Sequence, residues 1–264
     1  MAAAEKGDGA AQCDLARAYL NGQGTARDDS KAFEWYTKAA QQGLPKAQHN
    51  LAIMYYTGRG VKADTEAAVQ WYRKAATAGL APSQVNLAII LMDGKGVTKD
   101  VTEALKWFHA AAEQGVKGAQ ARLADLYFRG TDVPVNQDEA LKWASKAADA
   151  GDLASMNIIG QYYEVGAGVP KDDRVAAQWY RKAAKLGDPI AQTNLGRLYM
   201  DGKGVPEDLV KAYEWLSIAA DKGYLLAKKM RADIQPSLSP AQRAELEKWS
   251  GQELRKLSGP LLEE

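Results

Sequence analysis

Glycine and tryptophan return at a fixed interval of 36 residues along this chain of 264. Gly7, Gly43, Gly79, Gly115, Gly151, Gly187 and Gly223 mark the interval, as do Trp35, Trp71, Trp107, Trp143, Trp179 and Trp215. A register that never slips is the signature of a stacked array, in which each unit buries its apolar face only against its neighbours. The array is read as residues 1–234, with units starting near each of those glycines and a partial one at Gly223; residues 235–264 are read as a closing helix and tail.

Residues Gly43 to Ala78 serve as the model unit. Ala47, Leu51 and Tyr55 fall four apart on one face of a first helix, with Pro45 in its first turn. Ala68, Tyr72, Ala75, Ala76 and Gly79 have the spacing of a buried stripe on a second helix. Between them, Gly58 and Gly60 permit backbone angles that other residues avoid, and Asp64 is placed to cap the second helix. Asp28, Asp100, Asn136, Asp172 and Asp208 stand at the same position, which makes that acid structural. The recurrence of Ala68 as Ala32, Ala104, Ala140, Ala176 and Ala212 marks where helix backbones approach, since a large side chain there would overpack the contact.

After Gly223 a first helix is expected over Leu225 to Ile234, but no Gly-x-Gly turn follows it. Ser239-Pro240-Ala241-Gln242 reads as a helix start, with Ser as cap, Pro at the first helical position and Gln three residues after the cap. The terminal helix is expected to run from about Pro240 to Leu257, to bury Leu246, Trp249 and Leu257, and to fray over Leu261 to Glu264. At the other end, Ala3, Ala4 and Gly7 match Ala39, Ala40 and Gly43, so residue 1 falls inside the last turn of a helix and the natural chain is expected to extend upstream.

Composition narrows the function classes. Lys plus Arg number 34 against 33 Asp plus Glu, a balance that argues against nucleic acid as a partner. No stretch approaches the roughly 20 apolar residues of a membrane helix, so this segment is not expected to insert in a membrane. Cys13 is the single cysteine, which excludes an internal disulfide framework.

The pattern A-x-x-x-L-A-x-x-Y-x-x-G-x-G-V-x-x-D, then A-x-x-W-Y-x-K-A-A-x-x-G, resembles the Sel-1-like repeat. It stands here as Ala47, Leu51, Ala52, Tyr55, Gly58, Gly60, Val61 and Asp64, then Ala68, Trp71, Tyr72, Lys74, Ala75, Ala76 and Gly79. Tetratricopeptide repeats have a 34-residue period and a shorter turn. The resemblance implies an all-α fold, a right-handed α-solenoid of about six helix-turn-helix repeats plus the C-terminal capping helix, used as a bacterial adaptor. It also implies a bias toward the cell envelope or periplasm over the cytoplasm. Departures from the pattern are Asp132 for the second turn glycine, Leu91 for the first-helix tyrosine and Ala144 for the equivalent of Tyr72; the turn at Asp132 is expected to differ locally.

Chemistry is weakly represented. The Gly-x-Gly turns lack the preceding strand and third glycine of a nucleotide fingerprint. His49 and His109 lie 60 residues apart with no cysteine or paired carboxylate spaced to join either at a metal. The S-x-x-K and K-T-G elements of serine β-lactamases are absent. The expectation is therefore no catalytic residue, no cofactor and no metal, with a cell-wall hydrolase or β-lactamase-like enzyme, or a self-associating array, as the alternatives.

The leading expectation is a monomeric scaffold binding a protein partner, such as a bacterial effector or envelope protein, in a concave groove lined by the first helices. Its narrower form is an envelope inhibitor or immunity protein of a secreted toxin. Positions that vary while the core repeats are the ones free to specify a ligand. They are His49, Ile53, Tyr56, Val85, Ile89, Met92, Asp125, Phe128 and Gln161. Tyr56, Met92 and Phe128 have packing between neighbouring repeats as their alternative use, whereas Ile53 and Ile89 call for a contact outside the array.

Overall fold

The computed structural model describes residues 1–249, with side chains through Leu246. Among the described residues every regular element is a helix. The first helices of the repeats are Gly9–Asn21, Pro45–Thr57, Ala81–Asp93, Lys117–Arg129, Leu153–Val165 and Pro189–Asp201. The second helices are Asp29–Gln41, Thr65–Thr77, Val101–Glu113, Gln137–Asp149, Asp173–Lys185 and Leu209–Asp221. They gather into two compact units, Met1–Arg122 and one that begins at Leu123.

In the first unit the alanines named above make the close contacts. Ala32, Ala39, Ala47, Ala68 and Ala75 have no exposed surface, and Leu51, Tyr36 and Met54 fill the space between them. Each second helix ends on a glycine with φ between 82° and 95°, where the chain reverses into the next repeat without a Cβ in the way. Each also begins on its acid or amide: Asp28, Asp64 and Asp100 accept from the backbone N–H three residues on at 2.8–2.9 Å. The Asp64 N–H in turn donates to the Tyr55 carbonyl at 2.9 Å, so one residue closes both the turn and the helix.

The turn glycines do more than reverse the chain. A Cβ on Gly60, at φ +73°, would lie 2.2 Å from the carbonyl oxygen of Asp29 in the preceding repeat. Arg59 beside it reaches the Leu20 carbonyl and the Asp29 carboxylate, each at 3.0 Å. The turn of one repeat therefore docks on the start of the second helix of the repeat before it.

A buried glutamine supplies a second lock between repeats. Gln12, Gln48, Gln84 and Gln120 donate Nε2 to the carbonyls of Ala4, Ala40, Ala76 and Ala112 at 3.0–3.3 Å. Each bond gives a second donor to a carbonyl that already accepts from the N–H of the period-marking glycine three residues on.

The second unit repeats these devices with local changes. Gln192 bonds the Ala184 carbonyl at 3.0 Å, whereas Met156 takes the glutamine's place one repeat earlier. Asn136, Asp172 and Asp208 cap their helices, and a Cβ on Gly204 would stand 1.9 Å from the Asp173 carbonyl oxygen. At the turn that departs from the pattern, Gly130 has φ +67° but Asp132 does not enter the left-handed region, and Val133 is buried. Trp143, Tyr162 and Tyr180 are buried, the last because a Cβ on Gly160 would fall 2.5 Å from its ring.

The array closes through Leu225–Ile234, the 3-10 turn Gln235–Ser237 and the helix Pro240–Trp249. Ser239 and Gln242 form a reciprocal capping box, the Gln242 N–H donating to Ser239 Oγ at 3.2 Å and the Ser239 N–H to Gln242 Oε1 at 2.9 Å. Leu246 is half-buried and lines a cavity of about 290 Å³ with Tyr213, Leu238 and Arg243. The expected burial of Trp249 and Leu257 and the fraying of Leu261 to Glu264 lie outside the described side chains.

Candidate functional site: the first-helix face

On the first helices of the first unit, two large apolar residues are left exposed. Tyr56 and Ile89 are each 45% exposed. With Tyr72, Asn86 and Ile90 they line a cavity of about 150 Å³ between neighbouring repeats. Pro45–Thr57 presents Tyr56 in its last turn, Ala81–Asp93 presents Asn86 and Ile89 one turn apart, and Tyr72 rises from the second helix beneath. Ile53 and Val85 are half-buried beside them. Met92, also expected in the strip, is only 3% exposed.

His49 belongs to the same neighbourhood. Its Nδ1 lies 2.8 Å from Ser83 Oγ, and its ring meets Tyr72 edge-on with centroids 5.6 Å apart. Burial pushes the imidazole below its ordinary pKa, which makes it neutral at pH 7. The Ser83 hydroxyl is fully buried, so the pair orders the helix contact and has no open nucleophile. Tyr72 is raised by burial, and its oxygen accepts from Asn86 Nδ2 at 3.3 Å. Cys13, in the column of His49, is half-buried with its thiol pushed up by burial, the reverse of an activated cysteine.

The second unit carries Asp125, Phe128 and Gln161, and each has a different setting. Asp125 is half-buried and pairs with Arg129 one turn on. Phe128 packs edge-on against Tyr162 at 5.4 Å. Gln161 is half-buried one turn before Glu164 and Val165.

Column-by-column reading missed a polar cluster in this unit. Arg197 grips Glu164 through both guanidinium nitrogens at 2.7 Å, and the Tyr180 hydroxyl donates to Glu164 Oε2 at 3.0 Å. Burial pushes the Glu164 carboxyl up, but Arg197 and Tyr180 overcome it and hold the group below the usual carboxylate range. Burial and the adjacent carboxylate hold Tyr180 well above the ordinary phenol range. Glu164, Tyr180, Asn194, Arg197 and Leu198 occupy the same five repeat positions as Tyr56, Tyr72, Asn86, Ile89 and Ile90, three repeats further on.

Among the described residues no His, Cys, Asp and Glu group is arranged to hold a metal ion, and no helix is long and apolar enough to cross a membrane. What the face offers is shape, apolar surface and hydrogen-bonding groups.

Paired antiparallel helices of constant length, joined by αL glycines and stacked turn on cap, define an α-solenoid of helical repeats. The Sel1 repeat model matches residues 9–44, 45–80, 81–116, 118–152, 153–188 and 189–224, and the chain belongs to that family. Repeats of this family build helical scaffolds that hold protein partners. Among solved structures, the chain is similar to a protective antigen of uropathogenic Escherichia coli displaying an SLR fold. The two are 36% identical with a TM-score of 0.80, over 97% of this chain and 54% of the other, so the chain spans about half the length of that relative. A Sel1 repeat protein from Oxalobacter formigenes is 31% identical with a TM-score of 0.71, over 92% of this chain and 98% of its own. An immunity protein from Pseudomonas aeruginosa is 25% identical over 87% of this chain, but its TM-score of 0.41 is too low to bear on function. Among curated proteins, none matches the sequence.

Proposed function

We propose that this chain is a non-catalytic adaptor that holds a segment of a protein partner against the first-helix face of its N-terminal unit, over His49, Ile53, Tyr56, Val85 and Ile89. The observation that carries the reading is the pair of large apolar groups, Tyr56 and Ile89, left 45% exposed at the rim of a cavity. Neither is needed to close the core, which Leu51, Leu87 and the alanines already fill. Exposed apolar surface costs solubility without adding stability, and a contact that covers it gives that surface a use.

The same face argues against an enzyme as the leading reading. Its one Ser–His pair buries the serine completely, and no carboxylate is bonded to the histidine to orient it.

Site-specific photo-crosslinking tests the assignment. A crosslinker placed at Ile89 is expected to capture a protein partner from host-cell extract, and one at Thr77, on an exposed second-helix position, is not. Capture at Thr77 alone would place the binding surface elsewhere. Ile53→Asp combined with Ile89→Asp is expected to abolish the complex while the helical circular dichroism shows the chain still folded at the assay temperature.

A further inference from the structure

The two units treat one and the same repeat position in opposite ways. In the first, the five positions hold Tyr56, Tyr72, Asn86, Ile89 and Ile90 around an open cavity of about 150 Å³. In the second, Glu164 and Arg197 stand where Tyr56 and Ile89 stand and are clamped to each other at 2.7 Å above the Tyr180 hydroxyl. The tyrosine beneath and the asparagine beside it are shared; the two residues at the mouth are exchanged.

That comparison fixes the chemistry of what the open position takes. None of His49, Ile53, Tyr56, Asn86 and Ile89 carries charge at neutral pH, since burial keeps the imidazole neutral. A charged ligand group would lose its water there and gain no counter-ion, which is unfavourable by several kcal/mol. A cavity of about 150 Å³ with apolar walls accommodates a six-carbon ring. Leucine and phenylalanine side chains are of that size. One polar feature remains: because the Tyr72 oxygen accepts from Asn86, its own proton is still free to be donated. The match for an O–H at the edge of an apolar hole is a main-chain carbonyl next to the side chain that fills it.

Resting on the groove reading above, we infer that the Tyr56–Ile89 cavity is a specificity pocket for one bulky, uncharged side chain, leucine or phenylalanine, of an uncharged partner segment. The Glu164–Arg197 pair closes the equivalent position in the second unit. A segment with a single apolar anchor is thereby directed to one repeat position among several of similar build. The register of binding is set by which mouth is open.

The second unit also supplies the variant that tests this without disturbing the fold. Tyr56→Glu with Ile89→Arg installs over Tyr72 the ion pair that the same backbone already carries over Tyr180. The reciprocal change, Glu164→Tyr with Arg197→Ile, removes it. A display library of end-capped random peptides is selected on the full-length wild-type chain, and the peptides recovered are measured by fluorescence anisotropy against all variants. The expected result is a consensus with one Leu or Phe flanked by uncharged residues. Its affinity is expected to fall at least about 30-fold on Tyr56→Glu/Ile89→Arg and to be unchanged, or joined by a second equivalent of binding, on Glu164→Tyr/Arg197→Ile. A consensus built on charged residues overturns the inference. So do peptides that bind the Tyr56→Glu/Ile89→Arg chain as well as wild type; if those are lost on Ile53→Asp/Val85→Asp, the groove reading stands and only the pocket fails. Peptides insensitive to every one of these changes, or no peptide at all, overturn both.

Discussion

Replacing Gly60 by alanine is expected to cost far more than the same change at Gly24, although the two occupy the same place in successive repeats and have almost the same φ, +73° and +72°. A Cβ on Gly24 meets nothing within 4 Å, so Gly24→Ala has only to force a non-glycine residue into the left-handed region, about 1–2 kcal/mol. A Cβ on Gly60 meets the Asp29 carbonyl oxygen at 2.2 Å and its carbon at 2.6 Å. These atoms belong to the backbone of a helix start and cannot rotate away. The turn must lift off the preceding repeat, which adds roughly 1–3 kcal/mol by comparison with overpacked cores. The sum is about 2–5 kcal/mol for Gly60→Ala. Because a repeat array does not always unfold in one step, urea denaturation should be followed by both circular dichroism and tryptophan fluorescence, and compared with native-state hydrogen exchange over the first two repeats. Equal destabilisation at the two positions would refute the claim that turn-on-cap docking, and not only the backbone angle, requires glycine there.

Other consequences follow from the same contacts. Gln120→Leu removes the Nε2 bond to the buried Ala112 carbonyl, which keeps the Gly115 N–H as a donor, so a loss of about 0.5–1.5 kcal/mol is expected in urea melts. Glu164 has a depressed folded-state pKa, so its contribution to stability is complete above its unfolded value of about 4.3 and is lost as pH falls through the lower folded value. The stability gap between wild type and Glu164→Gln is therefore expected to narrow in melts taken from pH 6 down to pH 3, and a gap that stays constant would contradict the pairing. His49, held neutral by burial, is expected to titrate below a free histidine in NMR spectra, with the stability tied to it present at pH 7 and declining as pH drops below about 6.5.

The frame of this protein is legible in the sequence because each of its elements recurs. Gly58, the Ala68 and Ala75 positions and the Asp64 cap, as Asn136 in one repeat, appear at every period, Gly60 at all but one, and their roles follow from backbone angle, capping and close approach. The glutamine lock recurs too, at Gln12, Gln48, Gln84, Gln120 and Gln192, yet it is hard to read: a polar residue inside a first helix looks solvent-exposed until its partner, a carbonyl eight residues back across a loop, is located. The candidate site is legible only by half. Reading down single columns picks out Tyr56 and Ile89 as variable positions, and the structure leaves both exposed. The cavity, however, is made by pairing different columns of neighbouring repeats, position 56 with 86 and 89, and the Glu164–Arg197 clamp is made the same way. Met92 shows the same limit from the other side. It shares a column with Tyr56, but its side chain is buried and lost from the surface.

The central claim is that binding lies in the positions that do not repeat, on the first-helix face of the N-terminal unit. The most direct test is the affinity, by isothermal titration calorimetry, of the crosslinked partner segment for wild type, for Ile53→Asp/Ile89→Asp, and for a second-helix control, Gln70→Asp/Thr77→Asp. A loss of at least about 30-fold for the first variant with less than about a twofold change for the control is the predicted result. Equal affinity for wild type and Ile53→Asp/Ile89→Asp, with both chains folded, would contradict it.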